Sequence, residues 1–357
     1  MPSSVRQNII STRTLSRNVG ELLRRFWKSV CSRDRSWAYI GLVLLVTVSA
    51  AALGLRKYGI FGCSASGYSS DTYLSYCNVA SYGDYDHGAI WFDLEPAATA
   101  AVANARVLFL GNSRTQFAFS SETTANWFSS LSVSYYLLGF FHNENYTFEM
   151  PLIRKLHPRA RVYVVNIDSF FDPSESQPGK MVMLDESARA RYEQKRDWQR
   201  MHRAICPRFG VACGNEGAFF RSRSSGAWRV TGGPFPTQAV SYDDRIDHKM
   251  LPAYTAAARK FLPDLTAEHA CTILTIVPTV ETRIGTANAI ASAVGWKLVA
   301  PRLSGLTTFD KVHLDEESAQ RWSAAFLEEA GPQIQKCLSE KPESHVAMSA
   351  TDLRAAN

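Results

Sequence analysis

The sequence predicts an α/β fold: a three-layer α/β/α sandwich around a mostly parallel five-stranded sheet, preceded by one transmembrane helix. Three observations lead there. Short continuous apolar runs recur between residues 106 and 300, helical stretches fall between them, and a run of about nineteen uncharged residues precedes both.

The apolar runs are residues 107–110, 133–138, 162–165, 273–277 and 297–299. Continuous rather than alternating, they fit strands buried on both faces of a parallel sheet. Helical stretches at 121–130, 147–156, 252–262 and 286–294 lie between them, and such alternation implies right-handed crossovers with helices on both faces. Ligands then bind beyond the carboxyl ends of the strands. A final helix over 316–329 takes Asp315 as its N-cap, since a carboxylate accepts from the free N–H groups of a first turn. With 357 residues, 46% of them hydrophobic, the chain can bury one large core, or one core with a substantial insertion, which excludes disorder throughout.

The uncharged run from Trp37 to Leu55 is rich in Leu, Val and Ala, long enough to cross a hydrocarbon core of roughly 30 Å. Arg6, Arg13, Arg17, Arg24, Arg25, Lys28, Arg33 and Arg35 precede it, while only Arg56 and Lys57 follow closely. The positive-inside rule then keeps a basic leader, residues 1–36, in the cytoplasm and sends the rest across. The expectation is a single-pass inner-membrane protein whose main domain is periplasmic. A cleaved signal peptide, cut near Ala50 to Ala52, is the alternative. Most of the net charge of +6 sits in this leader, so the balance gives no ground for a nucleic-acid partner.

Residues 56–104, rich in Gly, Ser, Tyr and Asp, show no sustained period and read as an extracytoplasmic connector. The main domain runs over 105–335 and a tail over 336–357. Within the domain, residues 173–250 lack strand–helix alternation and read as an insertion or lid. A helix over 184–205 carries Arg189, Arg191, Lys195, Arg196, Arg200 and Arg203, either as a solvated face or as a site for anionic headgroups or glycan.

Six cysteines, Cys63, Cys77, Cys206, Cys213, Cys271 and Cys337, fall beyond the apolar run, and only Cys31 precedes it. An even number in an oxidising compartment points to disulfides. Connectivity is not determined by sequence. Cys63 with Cys77 and Cys206 with Cys213 would close short loops, leaving Cys271 and Cys337 to join. No paired C-x-x-C spacing supports a metal site.

Two motifs carry chemistry. In Val107-Leu-Phe-Leu-Gly-Asn-Ser113-Arg-Thr a serine stands at the turn leaving the first sheet strand, where the core fixes the strand end and the turn exposes both Oγ and backbone N–H groups. Alone, Gly-Asn-Ser is also an ordinary turn composition. In Phe309-Asp310-Lys-Val-His313-Leu314 the three-residue spacing lets the Asp310 carboxylate reach Nδ1 of His313, freeing Nε2 to take a proton from Ser113. A capped surface turn would read the same way. Together the two say more, because in a doubly wound sheet the loop after the first strand and the loop after the last open on one edge.

The pair resembles the SGNH or GDSL hydrolase superfamily, with its Gly-Asp-Ser-type first block and Asp-x-x-His last block; the resemblance covers residues 106–330. The Gly-Asn-Ser-Arg form behind one N-terminal anchor is similar to membrane-tethered SGNH proteins associated with envelope-polymer acylation. The resemblance implies a flavodoxin-like SGNH fold, a Ser113, His313 and Asp310 triad, and an oxyanion hole from the Ser113 backbone, Gly139 and an asparagine after the third strand. At that third block the chain departs from the family and reads Asn166-Ile-Asp168. Asn166 is taken as the amide donor, and Asp168 either stands in the family's asparagine position or pairs with Arg114 to hold the nucleophile turn. His142 and Glu144, after Gly139, are candidate substrate contacts or an ordinary polar loop.

The implied activity is that of a serine esterase or O-acyltransferase acting on an acylated, above all acetylated, envelope glycan, with a membrane-bound acyl-donor protein as partner and no cofactor. The rival reading is a non-catalytic glycan-binding or envelope-assembly protein on the same scaffold. No G-x-x-x-x-G-K-[ST], strand-linked G-x-G-x-x-G or H-E-x-x-H occurs, so nucleotide binding and zinc proteolysis lack support.

Overall fold

The computed structural model describes residues 35–57, 59–79, 82–210, 213–231, 236–266 and 270–340. The basic leader through residue 34, Cys31 included, and the tail beyond residue 340 lie outside the described residues. The chain divides into two units, residues 1–57 and 58–357.

The first unit contributes helix α1 (Arg35–Lys57). Its large apolar side chains, among them Leu42, Val46 and Leu53, are exposed. Among the described residues, no helix is long and apolar enough to cross a membrane. The expected transmembrane helix is therefore not supported here.

The second unit begins with β1 (Thr72–Cys77), β2 (Gly83–Asp84), α2 (Asp86–Trp91) and α3 (Pro96–Asn104). Strand–helix alternation follows: β3 (Val107–Asn112), α4 (Ser113–Phe119), α5 (Glu122–Ser130), β4 (Tyr135–Phe140), α6 (Tyr146–Leu156) and β5 (Val162–Asn166). Next come α7 (Gln177–Leu184), α8 (Ala188–Ile205), β6 (Ala218–Ser222), β7 (Trp228–Thr231) and β8 (Gln238–Ala239). The chain closes with α9 (Leu251–Thr266), β9 (Cys271–Thr275), α10 (Ile284–Val294), β10 (Thr307–Thr308) and α11 (Glu316–Ser339).

Strands β4, β3, β5 and β9, in that spatial order, form a parallel sheet. Alternate residues serve opposite faces. Leu108, Leu110, Tyr163, Val165 and Leu274 join one apolar cluster with Phe148 of α6, Phe261 of α9 and Ile290 of α10. Val107, Phe109, Val162, Val164 and Ile273 join the other with Phe119 of α4, Phe128 of α5 and Trp322 and Phe326 of α11. The three layers follow from this double burial. The expected fifth strand is not formed: residues 297–299 contribute one parallel bridge, Leu298 to Leu274. That run is short, and Pro301, just beyond it, has no N–H with which to extend a ladder.

A second, antiparallel sheet, in the order β2, β1, β6, β7, was not expected. It joins the stretch read as an irregular connector to the stretch read as an insertion. Tyr73, Leu74 and Cys77 of β1 and Phe220 of β6 are buried in it. Arg221 of β6, itself buried, clamps it to the first sheet: its Nη1 donates to the Leu137 carbonyl at 2.7 Å, Nη2 donates to the Gly139 carbonyl, and Nε and Nη2 meet the Asp86 carboxylate. The carbonyls of β4, an edge strand, are thus covered, which blunts an edge that would otherwise invite pairing.

All three disulfides pair as the loop argument arranged them: Cys63 with Cys77, Cys206 with Cys213, and Cys271 with Cys337. The last spans 66 residues and ties the start of β9 to the end of α11, worth roughly 4 kcal/mol on loop-entropy reasoning. Asp315 caps α11, accepting from the Ser318 N–H at 2.8 Å.

Candidate active site

Ser113 is the first residue of α4, immediately after β3. Gly111 makes the turn possible, with φ at 147°; a Cβ there would lie 2.2 Å from Thr115 Oγ1. Asn112 caps the helix, its Oδ1 accepting from the Arg114 N–H at 3.0 Å and its Nδ2 donating to Ser169 Oγ at 3.0 Å. From below, the Gly111 N–H donates to Glu149 Oε1 at 3.1 Å. The serine is therefore held on a rigid strand-to-helix corner.

His313 lies in the loop between β10 and α11, which the Phe309 N–H closes by donating to the His313 carbonyl at 3.0 Å. Asp310 Oδ1 accepts from the backbone N–H groups of Val312 and His313, at 3.1 and 2.9 Å. Its Oδ2 lies 2.6 Å from His313 Nδ1, and His313 Nε2 lies 2.7 Å from Ser113 Oγ. The imidazole is flanked by Phe117, 4.5 Å between ring centres, and by Phe309, stacked at 5.6 Å. Burial alone would raise the Asp310 carboxyl, but the His313 ring and the two backbone amides outweigh it and hold the carboxyl below its ordinary value. An ionised carboxylate only accepts, so Nδ1 carries the proton and Nε2 is left to accept from the serine hydroxyl. A hydroxyl, an imidazole and a carboxylate in this relay can generate a serine nucleophile.

The expected oxyanion donors are placed unevenly. The Ser113 N–H lies in the first turn of α4, where helix geometry provides no intrahelical partner. Asn166, the last residue of β5, is fully buried; its Oδ1 accepts from the Val277 N–H at 3.2 Å, while its Nδ2 has no partner among the described residues. Gly139 is buried inside β4, opposite Gly111, and its carbonyl accepts from Gln116 Nε2 at 2.9 Å and from Arg221. It belongs to the sheet ladder rather than to the loop beyond it.

Asp168 forms an ion pair with Arg114. Both line a cavity of about 290 Å³ beside the triad, together with Ser169, Tyr254, Arg283 and Lys311. A second cavity, of about 540 Å³, is lined in part by Phe117 and Phe309, the two rings that flank His313. His142 is exposed and touches the rings of Tyr76 and Phe141. Glu144 does not serve as a substrate contact: it is fully buried, with Oε2 at 2.7 Å from His87 Nε2 and also accepting from Ser176. A carboxylate that enters the core needs such a partner. Asn145 of the Asn145-Tyr-Thr sequon is buried as the N-cap of α6, accepting from the Thr147 N–H at 2.9 Å. Cys206 and Cys213 approach His202, but their disulfide leaves no thiolate for a metal.

Sequence reasoning missed Glu149, Phe117, Phe309 and Trp228. Only Glu149 left a signal: on a helix it shares a face with Leu152 and Ile153, three and four residues on, so an acid stands in an apolar stripe. No family model, curated protein or solved structure matches the chain.

Proposed function

We propose that this chain is an extracytoplasmic serine esterase or O-acyltransferase of the SGNH type, acting on an acylated envelope glycan. The observation that carries the reading is the continuous relay from Asp310 through His313 to Ser113, with both links at 2.7 Å or less. Ser113 Oγ attacks the acyl carbonyl carbon as His313 Nε2 takes its proton. The tetrahedral oxyanion forms against the Ser113 N–H, and the departing alkoxide takes the proton back from His313. Water or a glycan hydroxyl, deprotonated by the same imidazole, then releases the acyl group and restores the serine.

Three disulfides support an oxidising compartment. The exposed apolar side chains of α1 support a membrane association, and a membrane-bound acyl-donor protein is the partner that this location implies. Burial of Gly139 and of the Asn166 amide favours a second reading, a non-catalytic glycan-binding or envelope-assembly protein, because it leaves the oxyanion with fewer donors. Turnover of p-nitrophenyl acetate separates the two. The wild-type chain is expected to hydrolyse it, and His313→Ala is expected to lower kcat/KM by several orders of magnitude while keeping the fold. Equal turnover in the two proteins removes His313 from the mechanism and leaves the binding reading.

A further inference from the structure

The 540 Å³ cavity, whose lining rings Phe117 and Phe309 contact His313, falls within the range of roughly 300–1,000 Å³ typical of small-ligand sites. Its wall is built from both sheets. Phe117 and Phe309, half-buried, come from the layer that carries Ser113 and His313, and Trp228 and Arg229 come from β7 of the antiparallel sheet. Trp228 stacks on Phe141 at 4.2 Å and meets Phe117 edge-on at 5.7 Å, so aromatic contacts run from the second sheet to the His313 ring. The Trp228 indole N–H is buried and has no hydrogen-bond partner among the described residues. Exposed or half-exposed Arg229, Glu316 and Gln320 also line the cavity, beside the acids Glu122 and Asp315.

The chemistry of this wall selects among occupants. An acyl chain gains nothing from a guanidinium, a carboxylate and an amide, and desolvating them against methylenes is unfavourable. A pyranose ring has the matching two-sided character: apolar C–H faces for aromatic rings and a rim of hydroxyls for charged and amide side chains. We infer that this cavity is a saccharide subsite, in which Trp228, Phe117 and Phe309 take the ring face and Arg229, Glu316 and Gln320 take hydroxyls, holding the sugar whose acyl group meets Ser113. The inference rests on the proposed function and adds where the glycan lies and which residues choose it. It also gives the antiparallel sheet a task, that of supplying one wall of the site.

The test uses the full chain carrying Ser113→Ala, so that binding is read without turnover. Oligosaccharides spanning neutral, uronate-containing and N-acetylated types are titrated while tryptophan fluorescence and calorimetric heat are followed. At least one type is expected to bind, and adding Trp228→Ala is expected to weaken it by about tenfold or more. Because Trp228 is buried, Arg229→Ala and Gln320→Ala serve as surface controls and are expected to weaken the same saccharide severalfold. In the catalytically intact chain these two are expected to raise KM for an acetylated oligosaccharide severalfold with little change in kcat. No binding by any type, or binding that is indifferent to all three substitutions, overturns the subsite. Saccharide binding without esterase turnover by the intact chain sustains the subsite and overturns the enzymatic reading; turnover without saccharide binding does the reverse.

Discussion

Glu149 is a carboxyl group with no access to water, and its position explains how the nucleophile turn is held. One oxygen accepts the Gly111 N–H at 3.1 Å and the other has no partner among the described residues. Burial pushes this carboxyl well above the ordinary carboxylate range; the Gly111 amide pulls the other way, and nearby Glu144 adds to the rise. Such surroundings favour the neutral acid. What the turn needs from Glu149 is then an acceptor oxygen and not a charge. Glu149→Gln retains that oxygen and is expected to leave ester turnover little changed. Glu149→Ala frees the amide of Gly111, itself at φ 147°, and is expected to lower turnover roughly a hundredfold, the scale set by small misplacements of reacting groups. Comparable losses in both variants would show that the acceptor is not the relevant property. At this scale Ser113, His313 and Asp310 were legible because turn composition and three-residue spacing are local. Phe117, Phe309 and Trp228 were not, since an aromatic side chain reads as core until its neighbours are known.

Between elements, a buried charge cluster joins the end of β2 and the first turn of α2 to the loop after β4. His87 Nδ1 lies 3.0 Å from Asp84 Oδ1 and Nε2 lies 2.7 Å from Glu144 Oε2, with all three residues buried. Burial by itself would lower the histidine, but the two carboxylates outweigh it and push its pKa up to about 10 from an ordinary 6.5. A folded value above the unfolded one stabilises the native state fully below about pH 6.5; that contribution shrinks as pH rises and is gone above about 10. Denaturant midpoints measured between pH 6 and 10 should therefore fall with rising pH, and His87→Gln should flatten that slope. The substitution should also destabilise the protein by about 3–5 kcal/mol, because two buried carboxylates lose their cation. An unchanged slope would mean that His87 is not the titrating group. The strands of the parallel sheet could be read from sequence because each is buried on both faces and shows as an apolar run. The run at 297–299 has the same look, but it pairs through a single bridge. Strand β1 was hidden in a stretch rich in Gly, Ser and Tyr, since its partner β6 lies about 145 residues further on, and pairing at that distance leaves no local pattern.

At the scale of the whole molecule, the strand order β4, β3, β5, β9 sends the chain to one side of β3 and then to the other. The crevice at the carboxyl ends of β3 and β5 follows from that reversal. Ser113 leaves one of these strands and Asn166 ends the other, while His313, 200 residues from Ser113, returns on the loop before α11. Alternation of apolar runs and helices was enough to anticipate this meeting. The antiparallel sheet was out of reach, because its halves lie on either side of the first three parallel strands in the chain. Whether Ser113 is a nucleophile activated by His313 is decided by reaction of the full chain with a fluorophosphonate probe, mapped by peptide mass spectrometry. A single adduct on Ser113 is expected, lost in Ser113→Ala and strongly slowed in His313→Ala. A folded wild-type protein that stays unmodified, or an adduct on a different residue, would contradict it.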